Sequence, residues 1–547
     1  MPDMRISTLI ASLLLCSTQA AYGAAPPPPS AEAVRAARHA ATAYRGALLD
    51  TLAKMVSFNT VADKNVPFEK NPQHLGFKRY LKDEAARLGL DYADHGYVVI
   101  MGLGQSTQRV GIVTHGDIQP ADPSKWKKSP FELDATSEPG RLVGRGTEDD
   151  KGPIASAMYA MKAIKDQNIA LSKRLELYIY MAEESNWAPL TEFLKTHVPP
   201  QMNITLDAEY PVVTAEKGYG TVSVTFAPLP VPADGAGAGA TGAAIAATGG
   251  PTGGATISTT GGATISATSG PTISATSGPT ISAFSGGFFG SQIPEDASAV
   301  IEHASPTLEA LIRKRGAAQP GMNYIYHRRG SQLSIKARGV SAHSSKPEDG
   351  LNAISMLADA LKVQAWPDTT AGALVNFLND MIGTGIHAEK FGAIAYRDAF
   401  MGPLTFAPTV IKQTEAGLEL NINLRRPRGK TSARLEAEVR AALAAWQVGK
   451  PAFAATKVQI SEPWEQKTAP QVPVLLSVFS HFTGIQNAQP VSIGGGTNSR
   501  LFPHAVSFGP AMPGTVYSGH SEHEFITVKQ LMLNLQMYTA VMVELAK

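Results

Sequence analysis

Five short stretches hold residues that could do chemistry together. "THGD" carries His115 and Asp117, and "GRGTEDDKG" (144–152) carries Glu148, Asp149, Asp150 and Lys151 between glycines. "MAEESNW" carries the pair Glu183 and Glu184, "LDAEYP" carries Asp207, and "YSGHSEHEF" carries His520 and His523. Taken singly, each has a bland reading: an acid–glycine cluster is usually a solvated turn, a lone histidine a surface or core residue, a Glu pair an exposed face. Imidazole and carboxylate donors without thiolates suit zinc or manganese rather than a redox cluster. One aspartate shared between two metals is a common way to hold ions about 3.5 Å apart for hydrolysis.

The elements expected around these residues bring them to one place. "VGIVTH" (110–115), "LELYIYMA" (175–182) and "NITL" (203–206) read as buried strands. "IASAMYAMKAI" (154–164) sets Ile154, Met158, Met161 and Ile164 at helical spacing. Strands alternating with helices predict an α/β sheet covered by helices. In such sheets ligand sites gather beyond the carboxyl ends of the strands, where the His and acid residues fall. A helical pattern also runs over 31–55. Farther on, "QLSIKARGVSAHSSKP" (332–347) reads as a strand entering a loop, 349–363 as a helix and "LELNINLRRP" (418–427) as a strand.

The chain has 547 residues, 44% of them hydrophobic, and a formal net charge of +2. That length predicts two domains or one with large insertions. No long basic run is present, so nucleic acid is not an expected partner. Residues 1–24 read as a cleaved export signal: Arg5, an apolar stretch from Ile6 to Leu15, then small residues. This predicts a periplasmic or secreted protein with no membrane span after signal removal. The one cysteine, Cys16, lies in that segment, and Leu15 before it argues against lipid attachment. The mature chain then has neither disulfide nor thiolate metal site.

Residues 235–294 contain no charged residue, and an octapeptide unit repeats four times over 255–286, ending in "PTISAFSG". Little there can be buried, which predicts an unstructured insertion in a surface loop. "GGGT" (494–497) lacks the lysine and helix of a phosphate loop, and a loop along the substrate backbone is expected instead.

In the order of the chain, "THGD", "GRGTEDDKGP", "AEESNW", "LDAEYP", "GVSAHSSKPEDGLNA", "GGGTNSR" and "GHSEHEF" resemble the co-catalytic dinuclear metallopeptidases. These comprise glutamate carboxypeptidases, aminoacylases and bacterial dipeptidases, and the motifs resemble most the carnosinase-like dipeptidase branch. The resemblance runs over about 112–525. It implies a zinc-peptidase-like α/β catalytic domain, with a central mixed sheet covered by helices, and an inserted α+β lid domain. The expected division is 31–220 and 420–547 for the catalytic domain and 221–419 for the lid.

The resemblance also implies roles. His115 and Asp207 would hold one metal, Glu184 and His520 the other, and Asp149 would bridge them. Asp117 would orient His115, Glu183 would be the general base, and His343 would come from the lid to stabilise the oxyanion. Arg425 would hold the substrate carboxylate, with Arg426 and Arg500 as further candidates. The peptide after Asp149 would be cis. The implied cofactors are two divalent ions, zinc first, then manganese or cobalt. The implied activity is hydrolysis of dipeptides with a free carboxyl terminus by a metal-activated water. An N-acyl-amino-acid hydrolase is the alternative, and a catalytically retired secreted binding protein a more distant one. Two departures stand out: Ala182 where the family often has Asp, and His523 where it often has Asn. A monomer and a lid-mediated homodimer both remain open.

Overall fold

A computed structural model describes residues 27–229 and 278–547. The expected export signal and Cys16 lie outside these residues, as do the first repeats. No described helix is long and apolar enough to cross a membrane.

The first domain is built on a mixed sheet of nine strands. Its centre is Arg109–His115, parallel to Arg174–Tyr180 on one side and to Met202–Thr205 on the other. The antiparallel strands Val98–Leu103 and Asp91–Asp94 extend one edge. Val506–Ser507, Val213–Glu216 and Trp464–Glu465 extend the other. Helices Ala31–Ala43, Lys151–Asp166 and Val528–Ala546 pack on one another. The expected stripe Ile154, Met158, Met161 and Ile164 is buried, but so is nearly every other position of Lys151–Asp166. This helix is covered on most sides, hence Ala and Ser where a surface helix would carry charge. The helical pattern over 31–55 is two helices, Ala31–Ala43 and Arg45–Val56, separated at Tyr44.

The second domain is an eight-stranded antiparallel sheet with helices Pro306–Ala317, Ala353–Ala360, Thr370–Phe377 and Ser432–Gln447. Its strand order is Asn323–Arg329, Gln332–Arg338, Asp296–Glu302, Thr280–Gly286, Thr405–Thr414, Gly417–Arg426, Gly218–Phe226 and Phe453–Ile460. Two expected boundaries cut through this sheet and are corrected by it: the division at 220/221 falls inside Gly218–Phe226. The division at 419/420 falls inside Gly417–Arg426, whose partners on both sides belong to the second domain. Leu435, Val439, Trp446 and Val458 lie in that domain's core, so the first domain resumes only near Trp464. An alternating strand looks alike in either sheet, which is why the pattern did not place it.

The other correction concerns the insert. The fourth repeat unit, "PTISAFSG", forms the strand Thr280–Gly286, with Ile281 and Phe284 buried. It pairs with Asp296–Glu302 and Thr405–Thr414 inside the sheet. Gln292–Ile293 pairs with Ala342–His343 and so sets the backbone carrying His343. Deleting 235–294 is therefore expected to leave an open sheet and aggregated protein in a solubility and circular-dichroism assay. A soluble, fully structured deletion variant would show that the sheet closes without this strand.

Candidate metal centre

The carboxyl ends of the three central parallel strands deliver the first donors. His115 ends Arg109–His115, Glu183 and Glu184 follow Arg174–Tyr180, and Asp207 follows Met202–Thr205. Asp149 stands before helix Lys151–Asp166, and His520 comes from the loop before Phe525–Thr527. These six side chains meet. His115 Nε2 lies 2.9 Å from Asp149 Oδ1 and 3.8 Å from Asp207 Oδ1. His520 Nε2 lies 2.9 Å from Glu184 Oε1 and 3.2 Å from Asp149 Oδ2. The two oxygens of Asp149 thus face different imidazoles. Donor atoms of His115, Asp149 and Glu184 lie within 4.8 Å of one another, as do those of His115, Glu183 and Asp207.

The glycine–acid loop is held by a residue that the sequence reading left without a role. Glu524 accepts hydrogen bonds from the main-chain amides of Gly146, Glu148 and Asp149 at 3.0, 2.9 and 3.1 Å, and from Arg145 at 2.9 Å. Glu148 in turn accepts from the amide and hydroxyl of Ser518. Asp150 accepts from the His115 amide, and Lys151 donates to the Phe58 carbonyl. The crowded acids therefore divide the work: Asp149 faces the cluster and its neighbours build the turn. Gly146 has φ +88°, and a Cβ on Gly152 would meet the Thr147 carbonyl oxygen at 2.2 Å. The Asp149–Asp150 peptide is cis.

Asp117 reaches both His115 and the glutamate pair. His115 Nδ1 donates to the main-chain oxygen of Asp117 at 3.0 Å, whereas the carboxylate is 3.6 Å away. That carboxylate accepts the amides of Glu183 and Glu184 at 2.9 and 3.0 Å. Its side chain positions the glutamate pair, and its backbone positions the imidazole.

The electrostatics favour added positive charge. Burial, then Asp207, pushes the Glu183 carboxyl well above its usual range, and burial raises Asp207 to about 7 and Glu148 to about 8. Burial opposes ionisation of Asp149, yet His115 and His520 hold its carboxyl well below the usual range. Burial also opposes charge on His520, but Glu184 and Asp149 lift it to about 10. The buried Glu183 Oε1 has no hydrogen-bond partner. Nitrogen and oxygen donors, bunched carboxylates and an orphaned carboxylate oxygen fit a pair of divalent cations, which relieve such repulsion.

The second domain closes over this cluster. The His343 ring lies 4.3 Å from that of His520 and 6.0 Å from Tyr517, centre to centre. The Ser345 amide donates to His343 Nδ1 at 3.1 Å, which leaves the ring hydrogen on Nε2. Burial, then His520, holds the His343 pKa well below its ordinary value, so the ring is neutral. The glycine loop makes room for this segment: a Cβ on Gly494 would meet the Ser345 carbonyl oxygen at 2.5 Å. A cavity of about 580 Å³ opens beside the cluster, lined by Glu183, Glu184, Tyr219, His343, Arg425 and Arg500 among others.

The arginines separate. Arg425 is buried over the Tyr219 ring, with Nε on Asn423 and Nη2 on Ser344. Burial lowers its pKa to about 10, which keeps it charged at neutral pH. Arg500 also lines the cavity but forms a two-point ion pair with buried Glu216 at 3.0 and 2.6 Å. Arg426 points to the other side of the strand, where it bonds Ser461, Glu462 and the Lys430 carbonyl. It is not at the site. Nor is His523, which is 48% exposed and pairs with Glu138. Of the two histidines, His520 reaches the cluster and His523 does not. Tyr517 and Glu216, both missed, had no sequence signal beyond proximity to motifs.

A family profile described as peptidase family M20/M25/M40 matches residues 111–544. A protein of Bacillus subtilis described as a putative dipeptidase is 27% identical over 459 residues, covering 83% of this chain and 86% of its own. The Beta-Ala-Xaa dipeptidase of Lactobacillus delbrueckii subsp. lactis is 26% identical over 516 residues, covering 93% and 97%. Among solved structures, human carnosine dipeptidase 1 superposes with a TM-score of 0.54 at 14% identity, covering 95% of this chain and all of that one. This last likeness is one of fold.

Proposed function

Because the chain belongs to peptidase family M20/M25/M40 and is a metallopeptidase that hydrolyses peptide bonds, we propose that it is an exported dipeptidase acting on dipeptides with a free carboxyl terminus. One observation carries this reading: the Glu183/His520 end of the cleft and the Arg425/Arg500 end open into a single cavity. A short substrate can therefore place its amide at one end and its carboxylate at the other.

His115, Asp149, Glu184, Asp207 and His520 would hold two divalent ions, zinc first by donor type, which would supply polarisation of the carbonyl and acidification of a water. Glu183, with an unpaired buried oxygen, takes the proton from the attacking water and passes it to the leaving amine. The neutral His343 presents Nε2–H to the oxygen that gains charge. Arg425 pairs with the substrate carboxylate as a charge-assisted partner. Arg500, already committed to Glu216, supplies field rather than a free fork.

The test is metal analysis with a substrate panel of dipeptides, dipeptide amides and N-acetyl amino acids. Two bound ions and a preference for the free acid are expected. Arg425→Ala should cut kcat/KM for dipeptides by about 10- to 100-fold, the size of a hydrogen bond to a charged group, with little change for the amides. Equal cleavage of acids and amides by the wild type would remove the carboxylate clamp. Faster cleavage of N-acetyl amino acids would transfer the protein to the aminoacylases.

A further inference from the structure

A smaller chamber of about 70 Å³ shares Glu183, Glu184, His343 and His520 with the cavity of Arg425, but neither Arg425 nor Arg500 lines it. Five carboxylates line it: Asp149, Glu183, Glu184, Asp207 and Glu209. Four of these belong to the donor set or the base. Glu209 does not. It stands two residues beyond Asp207, on the short strand Ala208–Glu209, which pairs with Pro510–Ala511. Its partner is Lys346 at 2.7 Å, and both side chains remain partly open to the chamber, at 24% and 22% exposure. Lys346 comes from the second domain, and its amide donates to the His343 carbonyl at 3.0 Å. The segment that delivers His343 therefore also delivers the counter-charge of Glu209.

The two parts of the cleft thus differ in charge: guanidiniums line the larger one, and the smaller one holds a carboxylate outside the donor set that is paired through one oxygen with Lys346. A dipeptide zwitterion bound with its carboxylate at Arg425 sends its ammonium towards Glu209. An ammonium close to bound dications needs a nearby anion, and no other carboxylate lining the two chambers is free of the donor set and the base. Resting on the dipeptidase reading, we infer that Glu209 recognises the free amino group of the substrate's amino-terminal residue, which joins Lys346 on that carboxylate. This makes Glu209 a specificity determinant that separates dipeptides from N-acylated substrates.

The experiment compares a free dipeptide with its N-acetyl derivative on metal-replete wild type, Glu209→Gln and Lys346→Met. Wild type is expected to favour the free amine. Glu209→Gln should lose about 10- to 100-fold in kcat/KM on the free dipeptide, mostly through KM, and little on the acetylated one. Lys346→Met should keep the preference for the free amine. Equal losses on both substrates in Glu209→Gln would overturn the inference and make the ion pair a domain latch. So would a Lys346→Met variant that loses the preference as fully as Glu209→Gln. Calorimetric binding to the Glu183→Gln protein, with and without Glu209→Gln, reads the same recognition without turnover. Amine-dependent binding of dipeptides that the wild type never cleaves would support the role of Glu209 and refute the dipeptidase reading.

Discussion

Replacing Glu183 by Gln is expected to leave a folded protein that binds both ions and scarcely turns over. The substitution keeps the side-chain volume of a residue whose main-chain N–H donates to Asp117 at 2.9 Å. It removes only the ability to accept a proton. The buried Oε1 of Glu183 has no hydrogen-bond partner, so no hydrogen bond of that oxygen is lost. General acid–base groups contribute roughly 100- to 10,000-fold in rate, and a loss of that size in kcat is the expected result. Metal content by mass spectrometry and the melting temperature should stay near the wild-type values. Near-normal turnover with both metals retained would show that a different group takes the proton.

How much of this was legible without coordinates differs between the two domains. The strands ending at His115 and Tyr180, and Met202–Thr205, were readable because a parallel sheet buried on both faces leaves continuous apolar runs. Their carboxyl ends then located His115, Glu183, Glu184 and Asp207. The second domain was harder. Its antiparallel strands alternate, and alternation does not tell which sheet a strand enters, so Gly417–Arg426 was divided between domains. The repeat misled for a related reason. Small residues with a recurring Ile read as unburied, yet in Thr280–Gly286 one Ile and one Phe per strand suffice to face a core already supplied by neighbours. Asp117 and Glu524 show a further limit. Composition marks a carboxylate as a candidate ligand, but whether it meets a cation or a row of backbone amides depends on loops far apart in the chain, here 375 residues for Glu524 and Asp149.

Glu524→Ala should be the most damaging single change away from the reacting atoms. Glu524 and Arg145 are almost wholly buried, at 0% and 1% side-chain exposure, and are paired at 2.9 Å. Removing one partner of such a pair costs about 3–5 kcal/mol, because the other charge is left without compensation. Three main-chain amides lose their acceptor at the same time, and each buried unsatisfied donor adds about 1–3 kcal/mol where water cannot reach it. The expected result is a fall in melting temperature on the order of 10 °C. The damage falls on the segment that aims Asp149 between His115 and His520, so Asp149 loses its position and, on the proposed reading, metal content should drop as well. This pattern is the opposite of that for Glu183→Gln, where stability and metals persist while turnover is lost. Glu524→Gln sharpens the comparison. It keeps the shape but presents an NH2 group towards amides that themselves donate, so it too should lose stability and metal. If Glu524→Ala kept two ions and the wild-type melting temperature, the loop would be fixed by its other tether, the Glu148–Ser518 contact, and Ser518→Ala would then produce the loss.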